Sequence, residues 1–265
     1  MKTKINGFEM AYDDRGEGSP VILLHGFPLC RKMWEKQRVA LVEAGYRVIT
    51  PDLRGFGESE ATESGYGMAS LADDVAALME RLGLGQAVVG GMSMGGYVLL
   101  SLLENHYERL SAALFIVTRG VDDDEKGKEK RTALAEVVKG GHPEAVSEAF
   151  EKILFAGGTK EDQPWIIEEV TGWMKSTDPR ALIGGLTGMR DRKNYLPLLN
   201  HFTLPTLVIG GEEDITIPPE NAEALAEGLP NSTLKILPKA GHMANMEQPD
   251  AFNEALLEFL EAIKA

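Results

Sequence analysis

The sequence contains one cysteine, Cys30, and few positive charges, and each shortage excludes a class of interaction. A single cysteine cannot form a disulfide within the chain. Lysine and arginine together number 27 against 41 aspartate and glutamate residues, so the formal net charge is −14. Because such a chain repels phosphate backbones and anionic membrane surfaces, we expect neither nucleic acid nor membrane among its partners.

Long apolar segments are missing as well. No apolar run reaches the roughly 18 residues needed to span a bilayer. The N-terminal segment MKTKINGFEMAYDD has neither the apolar stretch nor the small-residue cleavage site of a secretory signal. We therefore expect a cytoplasmic protein. The composition, 43% hydrophobic and 26% charged, is typical of a globular chain with a sizeable core.

Short runs rich in valine, isoleucine and leucine predict buried parallel strands at residues 20–24, 46–50, 87–90, 112–117, 206–210 and 233–237. Helical apolar spacing predicts helices at residues 69–82, 94–105, 219–228 and 249–262. The first 14 residues instead indicate an antiparallel hairpin that turns at Asn6-Gly7. The alternation of strands and helices predicts an α/β fold with right-handed crossovers.

Residues 119–202 interrupt this alternation. They start with a charged run at 122–131 and continue with helix-like apolar spacing at 134–138, 145–155, 165–174 and 181–189. We interpret the charged run as a solvated turn and helix start rather than a binding patch. The sequence thus predicts a core formed by residues 1–118 and 203–265, with a helical cap at 119–202 inserted between them.

The most specific motif is Gly91-Met92-Ser93-Met94-Gly95, which lies between a predicted strand and a predicted helix. This is the context of a nucleophile elbow, in which small neighbours allow the serine a strained turn. A serine that merely caps the helix would fit the motif alone equally well. The glycines at 90, 91, 95 and 96 do not match a dinucleotide fingerprint, and no Gly-Lys-Ser/Thr of a P-loop follows.

A nucleophilic serine needs a base, and five histidines compete for that role. His242 follows the last predicted strand, where a loop leaves the carboxyl edge of a parallel sheet, the usual ligand-binding edge. His25 fits better as a loop-shaping residue and His106 as a surface residue. His142 and His201 lie within or at the edge of the predicted cap.

The histidine needs an acid partner, and three acids follow the strand at 206–210. Asp214 has a modest lead over Glu212 and Glu213 because it lies farthest along the turn, before an apolar stretch that could bury it. Ser93, Asp214 and His242 also occur in the chain order serine, acid, histidine that accompanies a nucleophile elbow, and each follows a predicted strand.

Two backbone amides are candidates for an oxyanion hole. The first is the amide of Met94, directly after the serine. The second lies in the segment from His25 to Pro28, and we choose Phe27 because proline has no amide hydrogen. Cys30, just beyond that segment, is interpreted as an ordinary small residue rather than a nucleophile.

Five segments together resemble the α/β-hydrolase superfamily, in its small cytoplasmic bacterial branch: HGFP at 25–28, PDLRGFGES at 51–59, GGMSMGGY at 90–97, GGEEDITIPP at 210–219 and AGHMANMEQPDAFNEALLEFL at 240–260. The resemblance implies an eight-stranded, mostly parallel sheet with a helical cap. It assigns the acid role to Asp214 and implies that Asp52 and Arg54 stabilise the loop beside the site.

The resemblance implies a serine-dependent hydrolase of short to medium acyl esters that acts through an acyl-enzyme without metal or cofactor. Lactonases, carbon–carbon bond hydrolases and cofactor-free haloperoxidases share the pattern, as would a non-catalytic ligand receptor. Dehalogenases and epoxide hydrolases use aspartate where this chain has Ser93. We expect a small-molecule ester or lactone as substrate and a monomer or homodimer. An apolar pocket is expected from the cap and flanking loops, with six candidate side chains. Packing in the core of the cap is the more common role for side chains of this kind. The candidates are Phe155, Trp165, Trp173, Met189, Ile215 and Met243.

Overall fold

The computed structural model describes residues 1–264 and contains one eight-stranded sheet. Its strands are β1 (Lys2–Ile5), β2 (Phe8–Arg15), β3 (Pro20–Leu24), β4 (Arg47–Pro51), β5 (Ala87–Met92), β6 (Leu110–Ile116), β7 (Thr206–Gly211) and β8 (Ser232–Leu237). In space they follow the order β1-β2-β4-β3-β5-β6-β7-β8. The pairs from β4 to β8 are parallel, whereas β2 pairs antiparallel with both β1 and β4. The expected eight-stranded, mostly parallel sheet is confirmed.

The N-terminal hairpin is confirmed too. Ile5 pairs with Phe8 across a two-residue turn, and both turn residues, Asn6 and Gly7, have positive φ angles of 43° and 88°. A two-residue turn of this kind matches the twist of the flanking strands.

The helices are α1 (Glu35–Glu43), α2 (Met68–Arg81), α3 (Met94–Asn105), α4 (Glu125–Lys139), α5 (Glu144–Glu151), α6 (Thr159–Asp162), α7 (Pro164–Lys175), α8 (Pro179–Arg190), α9 (Glu220–Gly228), α10 (Ala244–Glu247) and α11 (Pro249–Ala262). Short 3-10 helices lie at Arg31–Trp34, Tyr107–Arg109 and Leu196–His201. Within residues 1–264, no helix combines the length and the apolar character needed to cross a bilayer.

Each face of the sheet carries its own hydrophobic cluster. Alternate residues of strand β3 point to opposite faces and belong to different clusters. Ile22 and Leu24 belong to the first cluster, and Val21 and Leu23 belong to the second. Apolar side chains of α2, α3 and α9 complete the first cluster, and those of α1 and α11 complete the second. Both faces are therefore covered, which explains why the strands are continuous apolar runs in the sequence.

Helix α1 is absent from the sequence-based prediction, and its composition explains the omission. It buries one apolar side chain, Leu41, together with the polar Gln37. The Gln37 amide nitrogen donates to the Asn245 carbonyl and to Asn253 Oδ1, each at 3.0 Å. A helix that buries a glutamine lacks the apolar periodicity that predicts helices.

Residues 117–205 form helices α4 to α8 and contain no strand. The predicted helix at 145–155 is shorter than expected, since α5 ends at Glu151 and turns follow. Apolar residues of α8 join the first hydrophobic cluster and those of α7 join the second. The division into a core and a cap at 119–202 stays a prediction.

Candidate active site

Ser93 stands alone between the end of β5 at Met92 and the start of α3 at Met94. Its φ of 51° and ψ of −111° are strained for a residue with a side chain. The turn needs glycine on both sides: a Cβ on Gly91 would lie 2.2 Å from the Gly95 carbonyl oxygen, and one on Gly95 would lie 2.5 Å from the Leu24 carbonyl oxygen. The Ser93 side chain makes no capping hydrogen bond to α3, so its strained backbone has the geometry of an elbow rather than of a cap.

His242 and Asp214 form a buried pair. Nδ1 of His242 lies 2.7 Å from Oδ2 of Asp214, and the two residues are 2% and 3% exposed. The other oxygen of Asp214 accepts the amides of Thr216 at 2.8 Å and Ile217 at 2.9 Å. Since an ionised carboxylate only accepts, the hydrogen of this bond is on Nδ1, so the tautomer that fits the pair is the one whose Nε2 is the acceptor.

The competing acids point elsewhere. Glu212 and Glu213 are exposed, and they accept the amides of Lys239 at 3.2 Å and Gly157 at 3.1 Å. Neither contacts the ring of His242. The arrangement therefore favours Asp214 as the partner of the histidine.

Ser93, Asp214 and His242 follow the carboxyl ends of β5, β7 and β8, which are parallel and lie at one edge of the sheet. Ser93 lines the same cavity as Thr216 and Ile217, the residues whose amides hold Asp214. Within residues 1–264 the Ser93 hydroxyl forms no hydrogen bond, to His242 or to another residue. Such contacts are often long in unliganded enzymes and shorten when the substrate binds.

Two free amides flank Ser93. Among the described residues, neither Phe27 nor Met94 donates its amide hydrogen to an acceptor. The loop that carries Phe27 packs directly against the elbow, since a Cβ on Gly26 would lie 3.4 Å from the Ser93 Cβ. Both amides therefore lack an acceptor, as the predicted oxyanion hole requires.

His25 holds this loop in place. Its ring is fully buried, Nε2 accepts the Leu53 amide at 2.9 Å, and Nδ1 donates to the Gly26 carbonyl at 2.8 Å. Burial lowers the pKa of His25 below its ordinary 6.5, so the ring is neutral and can accept at Nε2.

Asp52 and Arg54 form the next layer behind the loop. The buried Asp52 carboxylate accepts the amides of Arg31 at 2.7 Å and Glu58 at 2.9 Å, and it pairs with the Arg31 guanidinium. Arg54 donates two hydrogen bonds to Asp74, at 2.7 and 2.9 Å. These contacts fit the loop-stabilising role that the resemblance implies.

The remaining candidates lie away from Ser93. His106 bonds to Asp73 at 2.8 Å on the surface, and His142 and His201 are exposed. Cys30 is buried, and burial raises the pKa of its thiol to about 12, so it stays protonated and weakly nucleophilic.

A cavity of about 310 Å³ opens beside Ser93. Its apolar walls are formed by Phe27, Tyr97, Leu134, Phe150, Ile153, Leu186, Met189 and Ile217. Of the six pocket residues expected from the sequence, Met189 alone is among the residues that line this cavity.

The other five expected pocket residues lie elsewhere. Trp165 and Ile215 are 46% and 66% exposed, and Phe155 lines a separate surface cavity. Met243 is fully buried in the second hydrophobic cluster, against which Trp173 also packs. The orientation of the helices between β6 and β7 decides which apolar side chains line the Ser93 cavity, and the proposed pocket no longer includes these five.

A charged wall of the cavity was not anticipated. Arg119, Lys130 and Arg131 line it together with Asp123, which is 4% exposed. Burial raises the pKa of Asp123, but hydrogen bonds from Arg192 and Arg131 outweigh that effect and lower it to about 2. The charged run at 122–131 does start helix α4, yet its interpretation as a solvated turn is wrong at Asp123. The four-residue spacing between Arg119 and Asp123 was the available signal.

Comparisons with known proteins agree with this geometry. A sequence profile of the alpha/beta hydrolase fold matches residues 19–152 and 159–249. A solved thermophilic esterase from Thermogutta terrifontis is 38% identical, covers 100% of both chains and superposes with a TM-score of 0.97. A bromoperoxidase from Bacillus anthracis is 30% identical over 98% of this chain and 99% of its own, with a TM-score of 0.89. An enol-lactonase from Burkholderia xenovorans LB400 is 26% identical over 98% of this chain and 100% of its own, with a TM-score of 0.91.

Proposed function

The chain belongs to the α/β-hydrolase family, and from that premise we propose that it hydrolyses short to medium acyl carboxylic esters through an acyl-enzyme on Ser93. Family membership gives the hydrolase class. The ester substrate, the acyl-enzyme and the roles of individual residues are the proposal.

In the first half of the reaction, Nε2 of His242 takes the proton of the Ser93 hydroxyl as its oxygen attacks the ester carbonyl carbon. Asp214 keeps the imidazole in the required tautomer and stabilises the imidazolium that forms. The amides of Phe27 and Met94 donate to the oxyanion of the tetrahedral intermediate. When the intermediate collapses, the alcohol leaves with the proton from His242.

In the second half, His242 takes a proton from water, and the hydroxide equivalent attacks the acyl carbon. The carbon–oxygen bond to Ser93 breaks, and the serine oxygen recovers a proton from His242. The free carboxylic acid is released. The proposed mechanism uses no metal or cofactor.

One observation carries this proposal. The buried Asp214–His242 hydrogen bond of 2.7 Å lies at the sheet edge where Ser93 occupies a strained turn. Burying a carboxylate costs free energy unless hydrogen bonds compensate for the lost water, so the burial of Asp214 against His242 needs a reason. A ring held in one tautomer, as a general base must be, supplies that explanation.

A lactone is a second candidate substrate. The enol-lactonase from Burkholderia xenovorans LB400 is similar to this chain over nearly the whole of both proteins. Because a lactone is a cyclic ester, the same attack would open the ring, and the leaving alcohol would stay attached to the acyl product. A panel of linear p-nitrophenyl esters and lactones compares kcat/KM for the two classes.

The test of the proposal is Ser93→Ala, with Ser176→Ala as the control because Ser176 is exposed on the cap. We expect hydrolysis of p-nitrophenyl esters to fall by about 10⁴-fold or more in Ser93→Ala and to stay unchanged in the control. A fluorophosphonate probe should add its phosphonyl group to the peptide containing Ser93, as detected by mass spectrometry. Wild-type rates in Ser93→Ala, or labelling at another residue, would reject the assignment.

The similarity to a bromoperoxidase provides a counter-test. The same proteins are assayed with bromide and hydrogen peroxide in place of an ester. Bromination that exceeds ester hydrolysis in the wild type would contradict hydrolysis as the principal activity.

A further inference from the structure

The charged wall of the Ser93 cavity has no part in the proposed attack on the ester carbonyl. Three cationic side chains, Arg119, Lys130 and Arg131, face one carboxylate, Asp123, so two positive charges remain unbalanced among the lining residues. The whole chain carries a formal charge of −14. The cavity therefore has the opposite sign to the protein around it.

Arg119 has unused hydrogen-bonding capacity. One of its terminal nitrogens donates to Asp123, but its Nε is buried and has no partner within residues 1–264. The Nε is closed to solvent and therefore to a ligand, but Nη1 also has no hydrogen bond to a described residue and is the donor left for an acceptor in the cavity.

Arg131 is similarly placed on the same wall. Its Nε donates to Asp123, while its Nη1 has only the Met189 sulfur at 3.5 Å, a weak acceptor. Its second terminal nitrogen has no hydrogen bond to a described residue. Arg119 and Arg131 thus share one carboxylate and both have donors to spare.

Arg192 also pairs with Asp123 and, like Arg119, has a buried Nε without a partner among the described residues, but it does not line the cavity. Its side chain is 3% exposed, lies outside the cavity lining and donates to Asp123 and to the carbonyl oxygens of Met189 and Val121. Its guanidinium also lies 4.3 Å from the ring centre of Tyr97. Arg119, Arg131 and Arg192 thus share the single carboxylate of Asp123, which cannot balance all three positive charges.

We propose that Arg119 and Arg131 bind a carboxylate on the non-reacting part of the substrate while its ester carbonyl lies at Ser93. The inference rests on the proposed ester hydrolysis and narrows its substrate class to esters or lactones that carry a second, anionic group. A planar guanidinium matches a carboxylate with two parallel hydrogen bonds. A cavity of about 310 Å³ is large enough for a small molecule that holds both groups.

The experiment compares esters of equal length that differ by one charge. Monoethyl glutarate and ethyl glutaramate place a carboxylate or its neutral amide on the acyl side. The pair 3-acetoxypropanoate and 3-acetoxypropanamide places them on the alcohol side. We expect kcat/KM to be at least about tenfold higher for the charged member of one pair, as hydrogen bonds to a charged group require.

Two arginine variants test whether Arg119 and Arg131 cause the preference for the charged ester. In Arg119→Gln and Arg131→Gln the ratio of kcat/KM, charged over neutral, should fall towards one. Arg190→Gln removes a cap arginine that pairs with Asp191 outside the cavity, and its ratio should equal that of the wild type. Thermal melting of each variant verifies that it is folded.

The outcomes separate this inference from the proposed function. If Ser93→Ala abolishes hydrolysis but neither pair shows a charge preference, the carboxylate site is refuted and ester hydrolysis stands. A preference that survives both arginine substitutions also refutes the site. If Ser93→Ala hydrolyses every ester at the wild-type rate, the proposed function itself fails.

Discussion

Glu247 accepts the amide of Gly241, the residue before His242, at 2.7 Å through Oε2. Its other oxygen accepts the amide of Ala156 at 2.7 Å and the hydroxyl of Thr159. The carboxyl group is 2% exposed, and burial, together with the nearby Asp214, raises its pKa. One buried side chain thus joins the histidine loop to the segment between β6 and β7.

Replacing Glu247 by glutamine should loosen this junction. The new amide group would turn its hydrogens towards a backbone amide, so at least one of these hydrogen bonds is lost. We expect the free energy of unfolding to fall by about 1–3 kcal/mol. We also expect kcat to fall more than KM rises, because the base is displaced rather than the substrate pocket.

Glu258→Gln is the matched control for that change, since Glu258 is exposed on α11 and pairs with Lys235. Denaturant unfolding and steady-state kinetics on both variants make the comparison. Equal stabilities of the two variants would show that Glu247 does not hold the histidine loop.

Asp214→Asn should lower kcat by about 10⁴-fold, because the amide favours the wrong tautomer of His242. Binding of a substrate analogue should change little, since Asp214 lies beneath the ring. Glu213→Gln alters an exposed carboxylate one residue away and should leave ester kinetics intact. Should the loss appear in Glu213→Gln instead, the acid is misassigned.

Gly95→Ala tests the contact between the serine turn and the Phe27 loop. Its Cβ would lie 2.5 Å from the Leu24 carbonyl oxygen and 2.9 Å from that of His25, both rigid backbone atoms. One of the two amides proposed for the oxyanion must move, so we expect kcat to fall by about 10²-fold or more.

Gly85→Ala is the control, because a Cβ at Gly85 meets no atom within 4 Å and the substitution precedes the same strand, β5. Ester kinetics and circular dichroism are measured on both alanine variants. Equal kcat values would mean that the close contact at Gly95 has no bearing on catalysis.

His25 should make the fold sensitive to acid. Its folded pKa lies below 6.5, so under mildly acidic conditions the unfolded chain binds a proton that the folded chain rejects. Stability is then fully present above pH 6.5 and falls as the pH drops below that value, by at most about 1.4 kcal/mol per pH unit.

The pH dependence is measured by urea unfolding between pH 8 and pH 5 for the wild type and His25→Asn. The variant is expected to be less stable throughout, but its stability should decline less steeply below pH 6.5. The other four histidines are present in both proteins, so the difference between the slopes reports His25 alone. Identical slopes would contradict a neutral, buried His25.

The sequence predicted the sheet well because its strands are buried on both faces. Every predicted strand was found, and the bounds of α3 and α11 matched those of the structure. These elements have strong signals, either continuous apolar runs or a helical period that starts and ends sharply. Helix α1 lacked such a signal because it buries Gln37.

The candidate site was predictable where chemistry follows a strand end, as it does for Ser93, Asp214 and His242. The roles of these residues stay predictions, although the structure brings Asp214 and His242 into contact. The cavity walls were not predictable, since Met189 lines the same cavity as Ser93 while Ile215 is exposed to solvent. Which apolar side chains line the cavity depends on how the helices between β6 and β7 are oriented, and the local apolar periodicity of the sequence does not determine that orientation. Asp123 was missed because Arg192, one of its three arginine partners, lies 69 residues away along the chain, where no local pattern reveals it.

The helices between β6 and β7 contribute to both hydrophobic clusters, α8 to one and α7 to the other. If the whole segment moved away from the sheet as a rigid body, apolar side chains in both clusters would become exposed to water. Exposing apolar surface costs free energy, and the enzyme would have to supply it in every catalytic cycle. Substrates should therefore enter by local shifts of side chains around the cavity mouth. An engineered chain that takes this segment from a relative would have to pack against both hydrophobic clusters to preserve the fold.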